Sequence, residues 1–372
     1  MSKALVVSYY TIQDLATGGK RRVDELVRAL LPSVSLLQPK PAHPVYPCHT
    51  FPLDFGRRKR LINWGIFNFY WPTNRSAAQS VINSVQPDVI IIDSIWCYRA
   101  VANLGPPILL DAQNVDALAI AERFGPRHPF TRLVTREEAY VARSVQHLFC
   151  CSDIDADLMR NRYGVPGEKI SMSPNGVRVA ASDAQDPAAD AVRREHHEKV
   201  LLLFMGKLDY APNVEALEFL DRVVLPELEK RHPGRFHCVV TGGPGLPAHI
   251  HHPMIHYAGR VADVAPWLNI ADICLAPLFS GSGTRIKILE YLGAGKPVVA
   301  TPKAAEGIEV VHQRDLLLAD ASNFASAVLT MADDPAKAAS MAAHGTSLVQ
   351  NRYSWDHAAA VWREGVRKSL MA

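Results

Sequence analysis

Short apolar runs rich in β-branched residues alternate with longer stretches of helical spacing, and they do so twice along the 372 residues. Parallel strands need a crossover of a dozen residues or more, and they are buried on both faces, so they read as continuous apolar runs. In the first half such runs are Ala4–Ser8, Val34–Leu37, Val89–Ile92, Ile108–Leu110, His147–Cys150 and Ile170–Met172. In the second half they are Val200–Met205, Phe236–Thr241, Met254–Tyr257, Ile273–Ala276, Val298–Ala300 and Leu316–Ala319. The expected fold class is α/β, with two Rossmann-like, doubly wound parallel-sheet domains facing a cleft. The Ala-, Asp-, Arg- and Glu-rich stretch Ala180–His197 carries no strand pattern and puts the boundary near residue 180. The expected domains are therefore 1–180 and 181–352. Over Ser354–Leu370, Trp355, Ala358, Val361, Trp362 and Val366 recur at helical spacing, which predicts a terminal helix over 353–372.

Charge and composition then exclude several classes. Lys+Arg is 40 and Asp+Glu is 37, a net charge of +3, so no nucleic-acid partner is expected. The apolar run at the amino terminus is too short for a signal peptide, and no stretch of about 18 apolar residues occurs. The expected location is the cytoplasm. The six cysteines form no C-x-x-C pair and read as buried free thiols.

The most informative stretch is Ala276–Thr301, A-P-L-F-S-G-S-G-T-R-I-K-I-L-E-Y-L-G-A-G-K-P-V-V-A-T. A strand ends, a Gly/Ser loop follows, and a helix is expected from near Thr284. Gly281 and Gly283 permit close backbone approach, and free N–H groups at a helix start favour an anion. Arg285 and Lys287 add two cations, and Glu290 lies roughly 1.7 turns beyond Thr284, in reach of a sugar attached to that anion. The stretches 281–286 and 243–248 lack the third glycine of G-x-G-x-x-G, and Gly295-Lys296-Pro297 lacks the Ser/Thr of a P-loop. Hydride transfer and P-loop chemistry are disfavoured.

This stretch resembles the family 4 glycosyltransferases of the GT-B fold, with their G-S-G-T-R-x-K-x-L-E signature followed by G-x-P-V-V-A-T. The resemblance extends to Gly18-Gly19, D-A-Q-N-V at 111–115, S-P-N-G-V at 173–177, F-M-G-K-L-D-Y-A-P-N at 204–213 and G-R-V-A-D-V at 259–264. It implies that the carboxyl-terminal domain binds a nucleotide-diphospho sugar of UDP or GDP type. The amino-terminal domain would present a saccharide, lipid-linked or small-metabolite acceptor. Transfer would proceed with retention, without a metal or other cofactor, and the terminal helix over 353–372 would cross back to the first domain. A nucleotide-sugar epimerase and a noncatalytic sugar-nucleotide-binding protein are the alternatives.

Carried over residue by residue, Lys207, Arg285 and Lys287 would stabilise the diphosphate during catalysis. Asn213 replaces a second lysine of the family. Gly206, Asn213, Gly243, Val261, Gly281, Ser282, Gly283, Thr284 and Glu290 form the expected donor site, with Glu290 on the ribose. Ser282 stands where the family has the first glutamate of a pair. Gly18, Gly19 and Asn114 are expected at the acceptor, and Gln113 takes the place of a histidine. Asp111 is the expected acceptor-contacting acid.

Two further motifs compete for roles. Asp153-Ile154-Asp155-Ala156-Asp157 resembles a D-x-D metal motif, but it follows Ser152 where acids favour a helix start. The stretch Phe55–Trp71 sets Arg57, Arg58, Lys59 and Arg60 beside Trp64, Phe67, Phe69, Tyr70 and Trp71. That mixture suits peripheral contact with an anionic membrane face, or an amphipathic helix that packs its aromatics on the first sheet or lines the acceptor pocket.

Overall fold

The computed structural model describes residues 2–12, 18–39, 45–51, 72–177, 183–281 and 285–371. The chain separates into two compact units, one of Met1–Asn175 with Trp355–Ala372 and the other of Gly176–Ser354.

The first unit holds a seven-stranded parallel sheet in the order β3-β2-β1-β4-β5-β6-β7. Its strands are β1 Ala4–Val7, β2 Val34–Pro39, β3 Cys48–Phe51, β4 Val89–Ile92, β5 Ile108–Ala112, β6 His147–Cys150 and β7 Ile170–Met172. The second unit holds a six-stranded parallel sheet in the order β10-β9-β8-β11-β12-β13. Its strands are β8 Val200–Met205, β9 Phe236–Thr241, β10 Ile255–Gly259, β11 Ile273–Ala276, β12 Val298–Ala300 and β13 Leu317–Leu318. In each unit the order runs outward from the first strand in both directions, the doubly wound arrangement predicted from the apolar runs. The central strands β1 and β4 are fully buried, as runs covered by helices on both faces must be.

One strand escapes the sequence pattern. β3 is a Pro-bounded C-H-T-F segment at the sheet edge, recruited by its register on β2, where Leu36 opposes Cys48. Context and not propensity makes it a strand.

The helices of the first unit are α1 Gly18–Leu30, α2 Pro72–Val85, α3 Tyr98–Val101, α4 Asp116–Phe124, α5 Pro129–Ser144 and α6 Asp153–Tyr163. In α1 the spacing of Val23, Leu26 and Val27 makes one apolar face, and all three are buried. α6 opens with Ser152 accepting from the Asp155 N–H at 3.2 Å and closes at Gly164 in the left-handed region, so the D-x-D stretch forms its first turn.

The second unit adds α7 Pro187–Glu195, α8 Ala211–Phe219, α9 Leu225–Arg231, α10 Ala265–Ile270, α11 Ile286–Gly293, α12 Phe324–Asp333 and α13 Pro335–Arg352. α7 falls in the boundary stretch 180–197, whose composition suits a linker or a loosely packed surface helix. It has Asp186 as its cap and buries Ala189 and Val192. The last helix, α14 Trp355–Met371, belongs to the first unit. Ala358, Trp362 and Val366, four residues apart, share a core cluster with Val23, Leu26 and Val27. Gly365 leaves room for Phe149, because a Cβ there would come within 2.4 Å of its ring.

No described helix is long and apolar enough to cross a membrane. The stretch Phe55–Trp71 lies outside the described residues.

Candidate functional site

In doubly wound sheets, ligands bind beyond the carboxyl ends of the strands where the strand order reverses. In the second unit that switch point lies between β8 and β11. β8 runs into Gly206 and Lys207, whose backbone is squeezed between two neighbours. A Cβ on Gly206 would meet Asn213 at 2.7 Å, and one on Gly242, itself at φ +135°, would meet the Gly206 carbonyl oxygen at 1.7 Å. Only glycine fits at these two positions. The Leu208 N–H donates to the Gly243 carbonyl at 2.6 Å, tying the β8 and β9 loops together. Val261 follows β10 and is half-buried.

Asn213, on α8, bridges the loop to α11. Its Nδ2 donates to the Lys207 carbonyl at 2.9 Å, and its Oδ1 accepts from Lys287 Nζ at 2.7 Å. The ammonium also sits 4.5 Å from the centre of the Phe204 ring, a cation–π distance. Burial pushes the Lys287 pKa down to about 7; the Arg285 charge adds to this and Glu290 opposes it. Arg285 donates to the Gly281 carbonyl at 2.6 Å. Gly281 has φ +98°, and a Cβ there would meet the Tyr210 hydroxyl at 2.8 Å. Glu290 lies one turn beyond Lys287, half-buried. Lys207 stands at the rim, 67% exposed, with its ammonium 3.1 Å from Asp209. Ser282, Gly283 and Thr284 lie outside the described residues, and α11 begins at Ile286, two residues later than the sequence suggests.

In the first unit the corresponding strand ends carry acids. Gly18 and Gly19 open α1, and a Cβ on Gly19 would meet Gln113 Oε1 at 2.6 Å and the Tyr10 hydroxyl at 2.8 Å. Asn114 is exposed. Asp111 takes a different part from the one expected. It is completely buried, and both its oxygens accept from Arg22, at 2.7 Å from Nε and 2.6 Å from the terminal nitrogen. Arg22 also donates to Ser173, the Pro174 carbonyl and Asn175, and stacks 5.1 Å from the Trp362 ring centre. Asp111 is therefore the anion of a buried ion pair, with its side chain wholly covered.

The acids that do line a cavity here are Asp93, Asp116 and Glu138, with Tyr9, Tyr10 and Gln113 around them. The space is about 20 Å³, room for one water-sized group. Burial is the largest cause that raises each of the three carboxyls to about 7. Asp93 accepts from Ser8 at 2.5 Å and from the Cys97 thiol at 3.3 Å. Glu138 accepts from the Asp116 N–H at 2.6 Å and the Tyr163 hydroxyl at 2.7 Å. The Gln113 amide nitrogen is buried without a partner among the described residues. Asp93 had a signal, since V-I-I-I-D places a carboxylate directly after a strand. Glu138, in mid-helix, had none.

Two doubly wound α/β units, with paired cations at the switch point of the second, have the architecture of the GT-B fold. Residues 16–181 match the model described as Glycosyltransferase Family 4, and residues 199–334 match that described as Glycosyl transferases group 1. The chain belongs to the family 4 glycosyltransferases. Among solved structures it is similar to HepE of Anabaena in complex with UDP and glucose, at 12% identity and TM-score 0.72 with 100% of each chain covered. It is also similar to sucrose-phosphate synthase of Thermosynechococcus elongatus, at 16% identity and TM-score 0.72 with 98% of each chain covered. The α,α-trehalose 6-phosphate synthase of Burkholderia multivorans follows at 14% identity and TM-score 0.69, with 99% of each chain covered. No curated protein sequence matches the chain significantly.

Proposed function

We propose that the second unit binds a nucleotide-diphospho sugar of UDP type and that the chain transfers the sugar to an acceptor hydroxyl with retention of configuration. The reading rests on one observation, the convergence of Gly206, Asn213, Gly281, Arg285 and Lys287 from three separate segments on the carboxyl ends of β8 and β11. The HepE structures with UDP and with UDP-glucose favour uracil as the base.

In this reading the bond from the anomeric carbon to the β-phosphate oxygen breaks as the acceptor oxygen bonds to that carbon. The acceptor proton passes to the departing phosphate oxygen. No protein base and no metal is required, so catalysis rests on placing the reactants and stabilising the charge that grows on the diphosphate. Lys287 and Arg285 supply that charge, with Lys207 at the rim, while Glu290 accepts from the ribose hydroxyls.

Calorimetric titration with UDP, GDP and 2′,3′-dideoxy-UDP tests the assignment. UDP binds the unmodified protein and the dideoxy analogue binds more weakly. Glu290→Ala weakens UDP by about 1.5–3 kcal/mol, as loss of a hydrogen bond to a charged group does. Equal affinity for UDP and its dideoxy analogue in the unmodified protein removes the ribose role.

A further inference from the structure

The second unit contains a cavity of about 680 Å³, in the size range of small-molecule sites. It does not lie at the carboxyl ends of the strands. Val200 and Ile273, the first residues of β8 and β11, line it, whereas the Gly206 and Gly281 loops leave the other ends of those strands. A six-residue strand separates the two ends by roughly 17 Å.

The walls divide by chemistry. One side is apolar, formed by Met331 and by Ala338, Ala339, Ala342 and Ala343 of α13. These alanines are four apart in pairs, so they share one helix face, and their short side chains leave the space open. The other side carries charge. Arg193 is paired with Asp272 at 2.9 Å, which leaves Lys199 and Lys296 as its cations. Lys199 has no side-chain partner among the described residues. Lys296 donates to the Asn269 and Ala271 carbonyls, both at 3.0 Å, and an ammonium has a third N–H to give. The opposing Glu198 carboxylate is 87% exposed and screened by water.

We propose that this cavity binds a small amphipathic anion, with its apolar body on the alanine face of α13 and its carboxylate or phosphate between Lys199 and Lys296. The site is distinct from the nucleotide-sugar switch point and does not depend on the reading given above. It touches the far end of α11, because Gly295 and Lys296 follow that helix and Thr346 of α13 donates to the Leu292 carbonyl at 2.8 Å. An occupant therefore lies against the helix that carries Lys287 and Glu290 at its other turns.

Decanoate below its micelle concentration is the probe, with decanol as its uncharged counterpart, both titrated calorimetrically into the full chain. Decanoate binds and decanol binds about fivefold more weakly, as loss of one exposed charge contact predicts. Ala339→Trp fills the cavity and abolishes both. Lys199→Glu weakens decanoate by fivefold or more and leaves decanol unchanged. The thermal midpoint and the far-ultraviolet circular dichroism spectrum establish that both variants are folded. Absence of decanoate binding by the unmodified protein, equal binding of decanoate and decanol, or unchanged binding by Ala339→Trp would each overturn the proposal. Concentration-dependent dimerisation that Ala339→Trp abolishes, without decanoate binding, would instead assign this face to a second copy of the chain.

Discussion

The two units share one strand order and hold opposite charge at their strand ends. In the first, Asp93, Asp116 and Glu138 gather beyond β4 and β5, and burial raises all three toward neutrality. In the second, Arg285 and Lys287 gather beyond β11, and burial lowers Lys287 toward neutrality. The same topology thus ends in buried acids in one unit and in cations in the other. What distinguishes them is a handful of side chains at loop positions, which is how one fold hosts different ligands.

The largest effect expected from breaking this contrast comes from Arg22, a cation that the acidic unit buries. Arg22→Met leaves Asp111 charged and unpaired at zero exposure, which costs about 3–5 kcal/mol. Chemical denaturation of the full chain reads it, and a loss below 1 kcal/mol would mean that the pair contributes nothing. Next comes Lys287→Ala, which removes a charge-stabilising group from the cationic unit. The expected loss is about 3 kcal/mol of barrier, roughly a hundredfold in kcat. A change confined to donor affinity would make Lys287 a binding group only.

Taken per pH unit and per group, the smallest effect is a pair of opposed pH slopes. The three carboxyls have folded values near 7, above their unfolded values, so the native state holds protons that the unfolded chain has lost. Their contribution is complete below about pH 4 and falls away as pH rises to about 7. Lys287 has its folded value near 7, below the unfolded 10.5, so its contribution rises with pH across that higher window. Each proton is worth about 1.4 kcal/mol per pH unit. Asp93→Asn flattens the first slope, and Lys287→Met flattens the second. Denaturation midpoints collected from pH 4 to 10 check both, and parallel slopes in the two variants would erase the contrast.

The doubly wound architecture was legible because buried parallel strands are written as unbroken apolar runs. β3 was not, because its neighbour β2 and not its own residues makes it a strand. At the sites the limit was distance along the chain. The glycines, Arg285, Lys287 and Glu290 stand in one contiguous signature, yet Lys287 meets Asn213 across 74 residues. Arg22 meets Asp111 across 89, and no local pattern announces either pairing. Asp111 read as an acceptor-contacting acid because its sequence neighbours say nothing of the guanidinium that covers it. Lys207 was legible as a basic residue after Gly206, but not its contact with Asp209.

The place of α14 has a consequence for how the protein is made. The ribosome delivers all seven strands of the first unit, then the whole second unit, and only afterwards the helix whose Ala358, Trp362 and Val366 close over Val23, Leu26 and Val27. During synthesis the first unit therefore waits through about 180 residues, from Gly176 to Ser354, with an apolar face uncovered and Arg22 lacking the indole that stacks on it. Nascent domains generally fold as units in order of emergence. Here the first to emerge is the last to be sealed, and the period of translation is when this chain is most exposed to chaperones and to aggregation.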